Sequence, residues 1–217
     1  MDYGNMVGDS FAYAKESVMG KWVKWILLII ATVLLMLPLL GYTLKILRGE
    51  SPAPEVENWG TLFIDGIKYV IIMVIWMIPV MIVYGLLFGV MLAGAVSGDE
   101  TAAVVGMGIF FIGMLVVAVL SIIIGLFSLI GIVRFARTGS IGEAFNISAI
   151  RETIARIGWI PYIIALVVLG VCGAICQIIL SVLMMVLIGF LLLPFFIPVW
   201  FIFVARYTCL LYDSAGA

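Results

Sequence analysis

Cys172 and Cys176 are the residues of this chain whose type and spacing point most directly to chemistry. Four positions apart on a helix, they would share one face, where two thiolates could hold a metal ion or act as a redox pair. A structural zinc site takes four ligands, and the chain has no histidine to supply the others. We therefore favour two small apolar side chains packing between helices, and we predict neither a metal nor another cofactor.

Gln177, beside this pair, is the only amide deep inside a predicted membrane span. In hydrocarbon an amide gains about 0.6–2 kcal/mol from a hydrogen bond across a helix interface. We interpret Gln177 as a contact to a neighbouring helix or to another subunit. Lining of a pore is the alternative.

Two further groups of polar residues could bind a ligand, and each also has an ordinary structural interpretation. Asp65 and Lys68 have the spacing of an ion pair on one helix, and Trp59 is better explained as an interfacial anchor than as a ligand platform. Four arginines in the segment 134–156 could bind anionic lipid headgroups or serve topology alone. These arginines are Arg134, Arg137, Arg151 and Arg156.

Glycine is abundant in the apolar segments, and Gly85 and Gly89 form a Gly-x-x-x-Gly pattern. Small residues at this spacing let two helices approach closely. Packing inside one bundle is favoured over dimerisation through this face.

No charged residue lies at the middle of any predicted span, which bears on the classes of function. Proton-coupled transporters and pumps use buried charges, and intramembrane hydrolases need a nucleophile with a base. A net charge of -1 leaves no basic surface for nucleic acid. We expect neither an enzyme nor a nucleic-acid-binding protein.

The elements that must carry these residues are set by a long uncharged run. Between Arg156 and Arg206 lie about 49 residues, which would measure about 73 Å as one helix, whereas a bilayer core is about 30 Å thick. The run therefore crosses twice. With 66% hydrophobic and 11% charged residues, the chain is predicted to be an all-α, polytopic transmembrane helical bundle, a single domain over residues 1–217.

About five spans are expected, with two or three amphipathic helices lying in the membrane interface. The spans are roughly 22–43, 68–91, 103–133, 159–187 and 190–211, and the interfacial helices lie in 1–21, 45–68 and 134–156. A hairpin bent at Pro38 is the alternative for the first span, but its halves of about ten residues would be too short to cross. The positive-inside rule places the segments 45–68 and 134–156 in the cytoplasm. A multi-pass protein of the cytoplasmic membrane is predicted.

Two local signals predict where helices begin. Asp9 and Ser10 are expected to cap the N-terminal helix. Ser140 and Glu143 have the spacing of a capping box.

The ends of the first and third spans resemble each other. Gly41 to Gly49 and Gly131 to Gly139 each contain a glycine, two basic residues three apart and a second glycine, about 90 residues apart in the chain. Internal duplication explains this pattern, and so does convergence on the same interfacial chemistry.

The segment from Trp59 to Lys68 (Trp-Gly-Thr-Leu-Phe-Ile-Asp-Gly-Ile-Lys), preceded by Leu40-Gly41-Tyr42 and Arg48-Gly49-Glu50, resembles a family of uncharacterised archaeal membrane proteins. That family is catalogued only as a domain of unknown function. The closing Ala205-Arg206-Tyr207 fits it as well. The resemblance implies an archaeal cytoplasmic membrane and supplies no activity, substrate or site residue.

We expect a non-catalytic integral membrane protein, a scaffold or accessory subunit that packs in the lipid bilayer with itself or with other membrane proteins. Its partners would then form a homo-oligomer or a larger membrane complex. The alternative is a passive channel or carrier for small neutral solutes or lipids, which the proline-containing, glycine-rich spans favour.

Overall fold

The computed structural model describes residues 1–185 and 188–216, and its regular elements are helices, with no β-strand among these residues. The helices are α1 (Tyr3–Val18), α2 (Trp22–Val33), α3 (Leu37–Leu47), α4 (Trp59–Val96), α5 (Glu100–Thr138), α6 (Ile147–Ile157), α7 (Trp159–Met185) and α8 (Ile188–Asp213). Four of them, α4, α5, α7 and α8 from Gly189 onwards, are long and apolar enough to cross a bilayer. The predicted helical membrane bundle is confirmed at this level.

The first apolar run does not form the continuous span expected over residues 22–43. It breaks at Leu34–Met36 into α2 of 12 residues and α3 of 11 residues. Pro38 accounts for the break, because it has no N–H and its ring would clash with the carbonyl of Leu34 four residues earlier. At 1.5 Å per residue the two helices are only about 17–18 Å long, so neither can cross a core of about 30 Å.

The two halves form a hairpin, because the start of α2 and the chain beyond α3 meet. Lys24 in the first turn of α2 donates to the carbonyl of Ala53 at 3.1 Å and pairs with Glu55 at 3.3 Å. Tyr42 of α3 donates its hydroxyl to the carbonyl of Pro54 at 2.9 Å. The hairpin alternative therefore describes this run, and the full first span is wrong.

The interfacial helix expected within residues 45–68 is not a separate element. Its predicted residues form the first turns of α4, which continues for 38 residues from Trp59 to Val96. A helix of that length measures about 57 Å, almost twice the bilayer core. Because α5 is similarly long at 39 residues, both helices must extend beyond the hydrocarbon.

The N-terminal helix begins earlier than predicted. Asp2 is its N-cap, and the Asp2 carboxylate accepts a hydrogen bond from the backbone N–H of Asn5. Asp9 and Ser10 therefore lie inside α1, and their assignment as caps is wrong.

The capping box predicted between Ser140 and Glu143 is also absent. Ser140 precedes a short 3-10 turn (Ile141–Phe145) and makes no side-chain cap. The cap of α6 is Asn146, whose side chain accepts from the backbone N–H of Ala149. Glu143 is engaged instead by an arginine of α5.

The chain divides into two packing units. The first comprises Met1–Val70 and Ile130–Ala217 and holds most of the buried side chains, with Tyr42 and Tyr207 among the largest. The second, Ile71–Leu129, consists of the remaining parts of α4 and α5. In this second unit α4 and α5 pack through small residues.

Gly94 and Gly106 are two positions of close backbone contact inside the second unit. A Cβ at Gly94 would lie 2.5 Å from the carbonyl oxygen of Ala102, and one at Gly106 would lie 3.1 Å from that of Val90. The small residues at these two positions therefore allow close helix packing inside this unit.

Candidate functional site

Charged side chains of the first unit gather into what we call the polar cap, a set of ion pairs that joins the ends of several helices. Its pairs are Arg48–Asp65, Arg134–Glu143, Arg137–Asp213 and Arg206–Asp9. The sequence singled out Asp65, Arg134 and Arg137 from this set.

Arg137, near the end of α5, binds two other helices. Its Nε donates to the carbonyl of Leu47 at the end of α3, at 2.8 Å. Its Nη2 donates to Asp213 at 2.6 Å and to the sulfur of Cys209 at 3.1 Å, both on α8. The guanidinium also lies 5.7 Å from the ring centroid of Tyr212. Arg137 therefore holds α3, α5 and α8 together.

Arg134, one turn earlier, fixes the connection between α5 and α6. It donates to the carboxylate of Glu143 in the 3-10 turn, and its Nη1 lies 3.4 Å from the hydroxyl of Thr153. The hydrogen bond from Arg134, with one from Asn146, lowers the pKa of Glu143. Near neutral pH Glu143 is therefore ionised and stabilises the connection between α5 and α6, and it does not act as a proton donor.

Asp65 lies where α4 packs against α3. Arg48 donates to its carboxylate at 2.6 Å, and Lys68 lies 3.8 Å away on the same helix. The predicted pair of Asp65 and Lys68 is therefore present, but Arg48 is the closer partner. Trp59 is half-buried at the start of α4.

The Arg206–Asp9 pair joins α8 to α1, and sequence reasoning missed it. The Nε of Arg206 lies 2.7 Å from Asp9, and its guanidinium lies 4.8 Å from the ring centroid of Tyr13. Tyr13 donates its hydroxyl to the carbonyl of Glu50 at 2.8 Å. Burial raises the pKa of Tyr13 to about 12, so the hydroxyl stays protonated. The two charges are 197 residues apart in sequence, and no local pattern marks them as partners.

The remaining two arginines of the predicted set lie on the exposed side of α6. Arg156 pairs with Glu152 at 2.6 Å on its own helix, and Arg151 is exposed. The buried side of α6 carries Ile150 and Ile154. Arg151 and Arg156 are therefore accessible to headgroups or solvent.

The two similar helix ends are in contact within the polar cap. Gly49 after α3 and Gly139 after α5 both have left-handed φ values, 91° and 72°. Arg137 of the second segment donates to the carbonyl of Leu47 in the first, and a Cβ at Gly49 would lie 3.0 Å from its Nη1. Gly131 repeats the close backbone approach of Gly41, because a Cβ at either position would overlap a carbonyl oxygen.

The polar cap has the character of a structural network. Each of its carboxylates accepts a hydrogen bond from an arginine, so every carboxylate is paired with a cation. Within the described part of the chain, the Nε of Arg134 is buried without a hydrogen-bond partner. Among the described residues, no group of three or more His, Cys, Asp or Glu side chains is placed to hold a metal ion.

Gln177, Gly85 and Gly89 all lie on outward surfaces. Gln177 is exposed on α7, and its backbone carbonyl accepts from Ser181 one turn later. A Cβ at Gly85 or Gly89 would meet nothing within 4 Å. The favoured interpretation of these two glycines, packing inside one bundle, therefore stays a prediction.

Cys172 and Cys176 border a large apolar groove in the first unit. The groove has a volume of about 910 Å³ and lies among α1, α2, α7 and α8. Its lining includes Gly8, Lys15, Trp25, Cys176 and Trp200. Sequence reasoning did not find this groove, because its walls come from helices distant in the chain.

Comparison with known proteins identifies one family. No curated protein and no solved structure matches the chain. A family described as "Protein of unknown function (DUF4013)" matches residues 25–185, about three quarters of the sequence. This match confirms the resemblance to an uncharacterised family, while the archaeal source and the Trp59–Lys68 signature stay predictions. The chain therefore belongs to the DUF4013 family of proteins of unknown function.

Proposed function

We propose that this protein is a non-catalytic membrane subunit that associates side by side with a second copy of itself. The observation that carries the proposal is Gln177, an exposed amide on the apolar helix α7. An amide facing hydrocarbon leaves its donors and acceptor unsatisfied, which is costly in lipid. A hydrogen bond from a second helix removes that cost.

A second copy of the chain fits this amide well. The Gln side chain carries both donors and an acceptor, so two copies of Gln177 can satisfy each other across a two-fold axis. Two chains inserted with the same topology present the same face of α7 to each other. Self-association therefore needs no further sequence signal.

The open face of α4 supports the same function. Among the described residues, nothing lies within 4 Å of the Cβ positions of Gly85 and Gly89, although Gly-x-x-x-Gly faces favour close helix packing. Glycine lowers helix stability by about 1 kcal/mol relative to alanine. Contacts between chains at this face would offset that loss.

We further propose a topology of four passes in the cytoplasmic membrane. If α4, α5, α7 and α8 each cross once and the α2–α3 hairpin does not, all 11 Lys and Arg residues lie on one side. The other side then carries only Asp99 and Glu100 as charged residues. The positive-inside rule makes the basic side cytoplasmic.

Labelling with a membrane-impermeant thiol reagent tests this topology. In a variant without native cysteines, Ser97→Cys should react from outside intact cells, and Ser214→Cys should react only after the cells are opened. Labelling of both positions from outside would refute four passes.

The particle mass of the detergent-purified protein tests the association. We expect a dimer, and Gln177→Leu should raise its dissociation constant about three- to twentyfold, because such bonds contribute about 0.6–1.7 kcal/mol. Ser181→Ala is the matched control, since it removes a polar group one turn away that is bonded within its own helix.

Three results would overturn the proposal. A monomer at every concentration would exclude self-association, and an unchanged dissociation constant for Gln177→Leu would exclude the amide contact. Stoichiometric co-purification of a different membrane protein would make the chain an accessory subunit rather than its own partner.

A further inference from the structure

The groove of the first unit is an apolar cavity with one charged residue, Lys15, in its lining. Its lining is formed by aliphatic, aromatic and sulfur-containing side chains, together with Gly8, Ala14 and Lys15. A volume of about 910 Å³ lies at the upper end of the usual range for ligand sites. Apolar sites of this size bind hydrophobic molecules.

The groove is lined both by the N-terminal helix α1 and by residues far along the membrane-span candidates α7 and α8. Lys15 is in the last turn of α1, on the same face as Phe11, which is 63% exposed. The wall also includes Cys176, 17 residues after the start of α7 and so about 25 Å along that helix. The lining of the groove therefore combines one cationic residue of α1 with residues deep in a predicted membrane span.

Lys15 differs from most cations of the chain. Seven Lys and Arg side chains form ion pairs within the described residues, and Lys15 is not one of them. An exposed ammonium beside an apolar groove is electrostatically complementary to an anionic headgroup whose chain occupies the groove. Its long aliphatic stem can cover apolar surface at the same time.

The aromatic wall is held in a fixed conformation. The indole N–H of Trp25 donates to the carbonyl of Phe195 at 3.3 Å. On α8, Phe196, Trp200 and Phe203 stack in sequence at centroid distances of 6.3 Å and 5.4 Å. A preformed wall reduces the entropy that a bound chain and its site must lose.

We propose that this groove is a binding site for one anionic phospholipid, with a hydrocarbon chain in the groove and the headgroup at Lys15. The site goes beyond self-association through Gln177, which does not line the groove. Lipids that merely surround the protein would show neither a defined number nor dependence on Lys15.

Native mass spectrometry of the full-length protein tests the site with two probes, dioleoyl phosphatidylglycerol and dioleoyl phosphatidylcholine. We expect one retained lipid per chain, with phosphatidylglycerol preferred about fivefold, equivalent to about 1 kcal/mol. Lys15→Gln should remove the preference and leave phosphatidylcholine binding unchanged. Lys21→Gln is the matched control, because it removes an exposed charge that lies outside the groove.

A second pair of variants tests the groove itself. Gly8 lines the groove and its Cβ position is open. Gly8→Phe should therefore fill the groove and weaken the binding of both lipids about tenfold or more. Gly170→Phe is the control, since that position is open but outside the groove.

Equal effects of Lys15→Gln and Lys21→Gln would overturn the proposal, as would unchanged binding by Gly8→Phe. Many lipids bound with equal affinity would show a surrounding shell only. The same spectra report the dimer, so a failure of self-association is distinguishable from a failure of lipid binding.

Discussion

Helices α3 and α4 touch at two glycines, and this contact gives a sharp test of the fold. A Cβ at Gly66 would lie 1.9 Å from the carbonyl oxygen of Leu37, and one at Gly41 would lie 2.0 Å from that of Leu62. Both obstacles are backbone atoms, which cannot rotate away as a side chain can. Gly66→Ala should therefore push the two helices apart.

The size of the effect follows from the distance. A carbon and a carbonyl oxygen in contact lie about 3.3 Å apart or more, so the alanine requires a local separation of roughly 1.4 Å. Gaps of about 0.5–1 Å already lose a quarter to a half of the contact energy of the lining atoms. Overpacking of this kind typically costs about 1–3 kcal/mol. In a chain of this length Tm falls by about 2–4 °C per kcal/mol, so we expect a fall of about 2–12 °C.

Intrinsic tryptophan fluorescence during heating in mild detergent measures the change. Gly60→Ala is the matched control, because Gly60 is also in the first turns of α4 and its Cβ position is open. The control should keep or slightly raise Tm, since alanine favours helix. If Gly66→Ala were as stable as Gly60→Ala, the close packing of α3 on α4 would be wrong.

Two further predictions concern the polar cap. Arg137→Ala should lower the free energy of unfolding by about 1–3 kcal/mol, because it removes charged hydrogen bonds to two helices. Arg156→Ala should lower it by only about 0.3–0.5 kcal/mol, because Arg156 forms an exposed ion pair within one helix. Thermal unfolding of both variants compares these costs, and equal effects would contradict the bridging role of Arg137. The pKa of Glu143 is lower in the folded state than in the unfolded state. The ionised carboxylate of Glu143 therefore stabilises the fold fully at pH values above its unfolded pKa of about 4.3. This stabilisation disappears as the pH falls through the lower, folded-state pKa. The stability difference between the wild type and Glu143→Gln should therefore shrink on acidification below about pH 4.3, and a pH-independent difference in Tm would rule out the ion pair.

The long helices could be predicted from sequence, because each one corresponds to a continuous segment whose length and hydrophobicity are enough to identify it. The hairpin could not be chosen over a full span, although both were considered. The choice depends on Lys24 reaching Ala53 and Glu55, about 30 residues away, and no local pattern reports such a contact. The capping box failed for a related reason, because Arg134 competes for Glu143.

The candidate sites divide in the same way. Gln177 was identified because a lone amide in an apolar helix is visible in the sequence itself. The Asp9–Arg206 pair and the apolar groove join segments from opposite ends of the chain, so only the fold brings them together. Gly66 falls in the segment that suggested the family, but its role is a backbone contact that no residue pattern reveals.

The distribution of charge separates stability from function in this protein. The charged residues of the polar cap pair with one another within the fold. Their removal should therefore lower Tm more than it changes self-association or lipid binding. The side chains of Gln177 and Lys15 form no ion pair or hydrogen bond within the described chain. Gln177→Leu should therefore change self-association, and Lys15→Gln should change lipid binding, while Tm stays constant in both variants. Loss of thermal stability in either of these two variants would assign that residue to the fold and remove it from the proposed function.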